Sequence, residues 1–245
     1  MLFRSENNMK LVIGNQKAYL TKEQLTDFVE KIKNLNNNNV IICPSSIYFG
    51  MFDNVKVLLG AQDVSKFDGD ATTGDISFKQ LKSMNINFSI IGHSERRQLL
   101  KESIEDTNIK VKKLLDNNMI SILCVGETIE EKNSGVTKQV IFNEISGALK
   151  DVPNDCIDKL IIAYEPIWSI GTGNVPTNDE IDNVIRSIKK FLLDEYNSNN
   201  IVLYGGSVNT KNIDELNTVS SIDGYLIGGA STKAVEFLQI IDKCS

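Results

Sequence analysis

Eight short, nearly continuous apolar runs constrain the fold of this chain more than any other feature of its sequence. They lie at residues 10–14, 40–43, 55–61, 88–92, 121–125, 160–163, 201–204 and 224–228. Continuous apolarity, rather than strict alternation, is what parallel strands covered on both faces require. Segments with helical spacing lie between the runs. After Thr21, with Gln24 completing a capping box, Leu25, Phe28, Val29, Ile32 and Leu35 line one face. After Thr177, with Glu180 three residues on, Ile181, Val184, Ile185, Ile188 and Leu192 repeat the pattern. Further helices are expected after Ser77 and Ser103 and over residues 140–149, 212–216 and 233–241. Eight alternating βα units with no break in composition favour a closed (β/α)8 barrel, the TIM barrel, over an open doubly wound sheet. The expected organisation is a single domain over residues 1–245, with 1–9 as an N-terminal extension and 36–39 as a short polar linker.

Composition fits one large globule: 41% of residues are hydrophobic and 24% charged, enough for a sizeable core. No apolar run approaches the roughly 20 residues that cross a bilayer, and MLFRSENNM turns polar too soon for a signal peptide. A cytoplasmic protein without a membrane partner is therefore expected. Cys43, Cys124, Cys156 and Cys244 are widely scattered, so they read as reduced thiols, with no metal site. A net charge of -6 and the lack of a basic stripe argue against a nucleic-acid partner. An acidic chain that binds an anion must build a local positive site.

In a barrel of this kind, functional residues sit just beyond the C-terminal ends of the strands. The first run ends in Gly14-Asn15-Gln16-Lys17, the fourth in Gly92-His93-Ser94-Glu95-Arg96-Arg97 and the sixth in Tyr164-Glu165-Pro166. The seventh and eighth end in glycine pairs, Gly205-Gly206-Ser207 and Gly228-Gly229-Ala230-Ser231. Taken singly, a Lys is a solvated charge, a His is structural, a Glu caps a helix and a glycine pair is a turn. Gathered at one barrel mouth they make a site. Glycine-rich turns after strands seven and eight let backbone N–H groups converge on an anion, which points to a small phosphorylated ligand. The segment from Pro166 to Pro176, framed by prolines and carrying Gly171 and Gly173, has the makings of a lid.

In order along the chain, the motifs GNQK, GAQDV, TGDIS, IIGHSERR, CVGET, AYEPIWSIGTG, YGGSV and DGYLIGGAS resemble those of the triosephosphate isomerase family. The resemblance implies an intramolecular aldose-ketose isomerase of glycolysis and gluconeogenesis. It would interconvert dihydroxyacetone phosphate and D-glyceraldehyde 3-phosphate through an enediolate, without metal or organic cofactor. It assigns Glu165 as the base and His93 as a neutral electrophile and proton shuttle, the family being the type case of such tuning. The end of the helix opened by Ser94 and Glu95 would disfavour imidazolium. Asn15 becomes a donor to the developing oxyanion and Lys17 a fixed cation oriented by Glu95. Gly171, Ser207, Gly228 and Gly229 become backbone donors to the phosphate. Pro166 to Trp168 and Asn174 to Pro176 become the lid's hinges.

The resemblance further implies a homodimer, in which the loop over residues 66–77 inserts beside the neighbour's site. Gln16, Thr73, Asp75 and Arg96 would lie at that interface, with Arg96 pairing Asp75 of the second copy. The chain departs from the family's pattern here, carrying Gln16 where Trp is usual and Asp75 where Glu is usual. Two further readings are a different phosphate-binding barrel, such as one of aromatic amino-acid biosynthesis, and a barrel kept as a surface or interaction protein. Neither needs Asn15, Lys17, His93 and Glu165 together.

Overall fold

The computed structural model describes residues 9–67, 69, 71–170 and 175–245. Eight parallel strands pair in sequence order and close on themselves: β1 (Leu11–Asn15), β2 (Asn36–Cys43), β3 (Lys56–Ala61), β4 (Phe88–Ile91), β5 (Ile120–Val125), β6 (Leu160–Tyr164), β7 (Ile201–Tyr204) and β8 (Gly224–Ile227). Closure runs through β1 and β8, with Leu11 opposite Gly224 and Ile13 opposite Leu226. Gly224 is required there, since a Cβ on it would lie 2.1 Å from the Leu11 carbonyl oxygen.

Successive side chains along each strand enter two different cores. Leu11, Ile13, Ile41, Phe88, Ile90, Ile122, Ile161, Leu203 and Leu226 fill the barrel. Their neighbours Val12, Val40, Ile42, Ile91, Leu123, Ile162, Val202 and Ile227 join the helices in an outer layer. Both faces are thus buried, which is why the runs read as continuous rather than alternating. Gly60 faces the barrel, where a Cβ would come within 2.7 Å of Cys43 Sγ.

The helices are α1 (Lys22–Ile32), α2 (Phe78–Ser83), α3 (Ser94–Leu99), α4 (Ile104–Asp116), α5 (Ile129–Asn133), α6 (Thr137–Ala148), α7 (Asn178–Tyr196), α8 (Ile213–Leu216) and α9 (Ala234–Lys243). Capping boxes start α1, α2, α4, α5 and α7, at Thr21, Ser77, Ser103, Thr128 and Thr177. At Thr177, Oγ1 accepts from Glu180 N at 3.2 Å while the Glu180 carboxylate accepts from Thr177 N at 2.8 Å. Thr177→Ala removes half of that box and should destabilise the protein by about 1 kcal/mol, read as a lowered midpoint in chemical denaturation with an unchanged slope. Among the described residues, no helix is long and apolar enough to cross a membrane.

One expectation is corrected, and one helix goes unread in the sequence. Residues 36–39 are not a linker: they open β2, alternating exposed and half-buried, and Asn36 pairs with Lys56 ahead of a register shift. With none of residues 36–39 fully buried, polar side chains serve there. The short helix α5 after Thr128 carries no buried residue, so its sequence has no apolar period to find.

Candidate active site

The C-terminal ends of the strands open into one cavity of about 480 Å³, lined by Asn15, Lys17, His93, Glu95, Glu165, Ser207, Gly228 and Gly229. The catalytic candidates and the two described glycine turns therefore share one space. Gly171, expected at the phosphate, and Asn174, expected at a hinge, lie outside the described residues. Ile170, just before them, does line the cavity.

Glu165 follows β6 and is 1% exposed. Its backbone N–H donates to Val125 O at 2.7 Å, continuing the β5–β6 ladder by one residue. Two glycines make room for it. A Cβ on Gly126 would lie 1.7 Å from the Glu165 carbonyl oxygen, and one on Gly205 2.9 Å from Glu165 Cγ. The carboxylate is held at both oxygens: Oε2 accepts from Ser94 N at 3.2 Å, and Oε1 lies 3.1 Å from His93 Nε2. Burial acts to push the carboxyl pKa up, but the imidazole, the Ser94 N–H and Arg97 together hold it below the usual glutamate value.

His93 closes the first turn of α3: its Nδ1 accepts from Glu95 N at 3.2 Å. An acceptor at Nδ1 puts the proton of a neutral ring on Nε2, aimed at Glu165. The helix end thus favours a neutral ring, as the sequence suggests, but it is opposed. Burial also disfavours the charged ring, yet the Glu165 carboxylate outweighs it and moves the imidazole pKa above its ordinary value. The direction is opposite to the one the helix end alone would give.

Lys17 has left-handed backbone, with φ at 49°, a conformation that costs a non-glycine residue about 1 kcal/mol. Its turn is fastened by Lys17 N donating to Asn15 Oδ1 at 3.1 Å and by Gln62 Nε2 donating to Lys17 O at 2.8 Å and Cys43 O at 3.0 Å. The ammonium bonds Glu95 Oε1 at 2.6 Å. It also lies 3.7 Å from where a Cβ on Gly228 would stand, spanning the catalytic and phosphate ends of the cavity.

The turn after β7 is stapled by Asn212, whose Nδ2 donates to Ser207 O at 2.8 Å and whose Oδ1 accepts from Asn209 N at 2.9 Å. The turn after β8 is closed by Ser231, whose N and Oγ both donate to Gly228 O. Gln16 reaches this second turn, Nε2 donating to Ser231 O at 3.2 Å, and is 2% exposed. Its amide nitrogen is thus tied within its own chain, while its Oε1 is buried without a partner among the described residues.

Thr73 and Asp75 are exposed, with Asp75 Oδ2 accepting from Ser65 Oγ at 2.6 Å. Arg96 pairs within its own chain, to Asp63 Oδ2 at 2.8 Å and Glu102 Oε2 at 2.7 Å. The inter-chain partner expected for it, Asp75, would be a third carboxylate at a guanidinium already matched by two.

Several supporting residues escaped the sequence reading. Gln62 is one, although it stands at the end of β3 inside a motif read there. Glu127 is another, 1% exposed and accepting at Oε1 from Trp168 Nε1 at 2.8 Å and the Tyr164 hydroxyl at 3.3 Å. It anchors the first foot of the proline-framed segment.

The profile of the family described as triosephosphate isomerase matches residues 10–244. The chain belongs to the triosephosphate isomerase family. Its relatives include the triosephosphate isomerase of Malacoplasma penetrans, 39% identical over 95% of this chain and 98% of that protein. That of Mycoplasmoides gallisepticum is 38% identical over 96% and 99%, and that of Clostridium tetani 37% identical over 95% of each. Family membership thus spans the whole barrel, with all eight strands inside the matched range.

Proposed function

We propose that this cavity interconverts dihydroxyacetone phosphate and D-glyceraldehyde 3-phosphate, with Glu165 as the base, His93 and Asn15 polarising the carbonyl, and Lys17 as the fixed cation. The observation that carries this reading is a buried carboxylate 3.1 Å from an imidazole Nε2, in one cavity with Lys17 and two glycine-rich turns. The phosphate lies against the backbone N–H groups of Ser207, Gly228 and Gly229, which fixes the three-carbon skeleton so that its reacting carbons face Glu165. A substrate oxygen accepts from His93 Nε2, beside the Glu165 carboxylate that lies 3.1 Å from the same nitrogen. Glu165 removes the proton beside the carbonyl and returns it to the neighbouring carbon. A carboxylate is a weak base for such an acid, so the barrier falls mainly through donors aimed at the developing enediolate oxygen. The chemistry calls for no metal or redox cofactor.

The reading extends to a cytoplasmic homodimer. A hollow of about 260 Å³ backs onto Asn15, Lys17 and His93, rimmed by Leu99 and Leu100, which are 76% and 63% exposed. Exposed leucines beside catalytic groups suit cover by the 66–77 loop of a second copy, with Thr73 and Asp75 as its contacts. The test is binding of a phosphorylated hydroxamate, a planar mimic of the enediolate, alongside activity and size over a dilution series. The mimic should bind at least about 10²-fold tighter than substrate, and activity should fall as the dimer dissociates. Equal affinity for mimic and substrate would count against the enediolate site, and full activity in a monomer against the dimer.

A further inference from the structure

Glu165 is fixed by a ring of contacts that passes through two residues remote from the cavity. The side chain hangs from Ser94 N, at the first residue of α3. One turn along the same helix, Arg97 Nη1 bonds Glu144 Oε1, on α6. The other oxygen of that carboxylate, Oε2, accepts from Gly126 N at 2.9 Å. Gly126 in turn lies so flat against the Glu165 peptide that no Cβ could stand between them. Side chain and backbone of the base are thus both referred to Glu144, and neither α3 nor the β5 loop can shift without straining it. Arg97 Nε and Nη2 are buried without another partner, so Glu144 is the counter-charge on which that guanidinium depends.

We propose that Glu144 is a positioning residue for Glu165, seating its backbone through Gly126 and balancing the charge of Arg97 behind it. The inference rests on Glu165 being the base. The titratable and charged groups that face Glu165 are His93 from the loop before α3, Arg97 from α3 and the Cys124 thiol from β5, with Lys17 and Glu95 beyond the imidazole. Just after β7, Gly205 approaches it with no side chain. Arg97 is the only one whose charge Glu144 controls.

Two variants separate position from charge. Glu144→Ala removes both acceptors and should lower kcat about tenfold or more with KM within about twofold, since phosphate and carbonyl contacts stay in place. Glu144→Gln keeps one acceptor, for Gly126 N, and turns its NH2 away from that contact, so the seat of the Glu165 backbone survives and kcat should return to within about threefold of the parent. It leaves Arg97 unopposed, so the acid limb of the kcat profile should move to lower pH as the base is held more firmly ionised. A general loss of packing would not produce that shift. Unchanged kcat in folded Glu144→Ala, or an unmoved acid limb in Glu144→Gln, overturns the proposal. Wild-type turnover in the same assay is the separate test of the reading beneath it: an inactive parent speaks against Glu165 as base, an active parent with indifferent variants against Glu144 alone.

Discussion

Glu165→Gln should lower kcat about 10³-fold while leaving the protein folded, within the 10²–10⁴-fold that a positioned general base contributes. The amide keeps the shape of the side chain and an acceptor for Ser94 N, so the seat built by Gly126 and Gly205 is undisturbed. Stability should change by no more than about 1 kcal/mol. What is lost is a group able to take a proton from carbon. A second reading of the same variant follows from the imidazole. The Glu165 carboxylate is what lifts the His93 pKa against the effect of burial, so its removal should move that pKa down. His93 is the sole histidine, and its ring resonances can be followed by NMR through the titration without assignment. A His93 pKa that stays put would mean the carboxylate does not govern the ring.

Lys17→Met should lower kcat/KM by roughly 10²–10³-fold, the equivalent of about 3–4 kcal/mol, with KM and kcat both affected. The methionine fills similar volume but leaves Glu95, which Lys17 holds at 2.6 Å, without its cation beside the site. With Glu165 ionised as well, an anionic substrate would then enter a cavity whose nearest carboxylates are no longer balanced there. Lys17 also holds a left-handed backbone that Gln62 secures, so its ammonium is aimed rather than free. Free lysine analogues or added ethylammonium should therefore restore little activity. Steady-state kinetics of the folded variant check the first expectation, and a KM change with normal kcat would reduce Lys17 to a steering charge.

The barrel was legible because its strands are covered on both faces. Burial inside and outside selects continuous Ile, Leu and Val, as at Val40–Cys43 within β2 and along β6, and the capping boxes at Thr21 and Thr177 mark where helices start. Residues 36–39 misled because the exposed start of a strand obeys no burial rule, so asparagines that pair in β2 resemble a linker. Helix α5 went unread because it buries no residue, although Thr128 and Glu131 are spaced as a capping box.

At the site, Glu165, His93, Lys17 and Asn15 could be read because strand ends face the cavity. Their supports could not. Glu144 lies mid-helix and looks like a solvated charge; only its approach to Arg97 and Gly126, both distant in sequence, distinguishes it. Gln16 was assigned to the interface by resemblance, and its bond to Ser231 O, more than two hundred residues on, has no local signal. Pairing between distant segments is a property of the closed barrel, and the local sequence around either partner carries no sign of it.

The central claim is that this cavity moves a proton between two carbons of a phosphorylated triose. The most direct test is to incubate purified protein, in chelator-treated buffer and without nucleotide, with D-glyceraldehyde 3-phosphate and to follow the carbon skeleton by NMR. The expected result is catalytic conversion to dihydroxyacetone phosphate, reaching the same final ratio from either direction. A folded, phosphate-binding protein that leaves the aldehyde unchanged over many equivalents would contradict it.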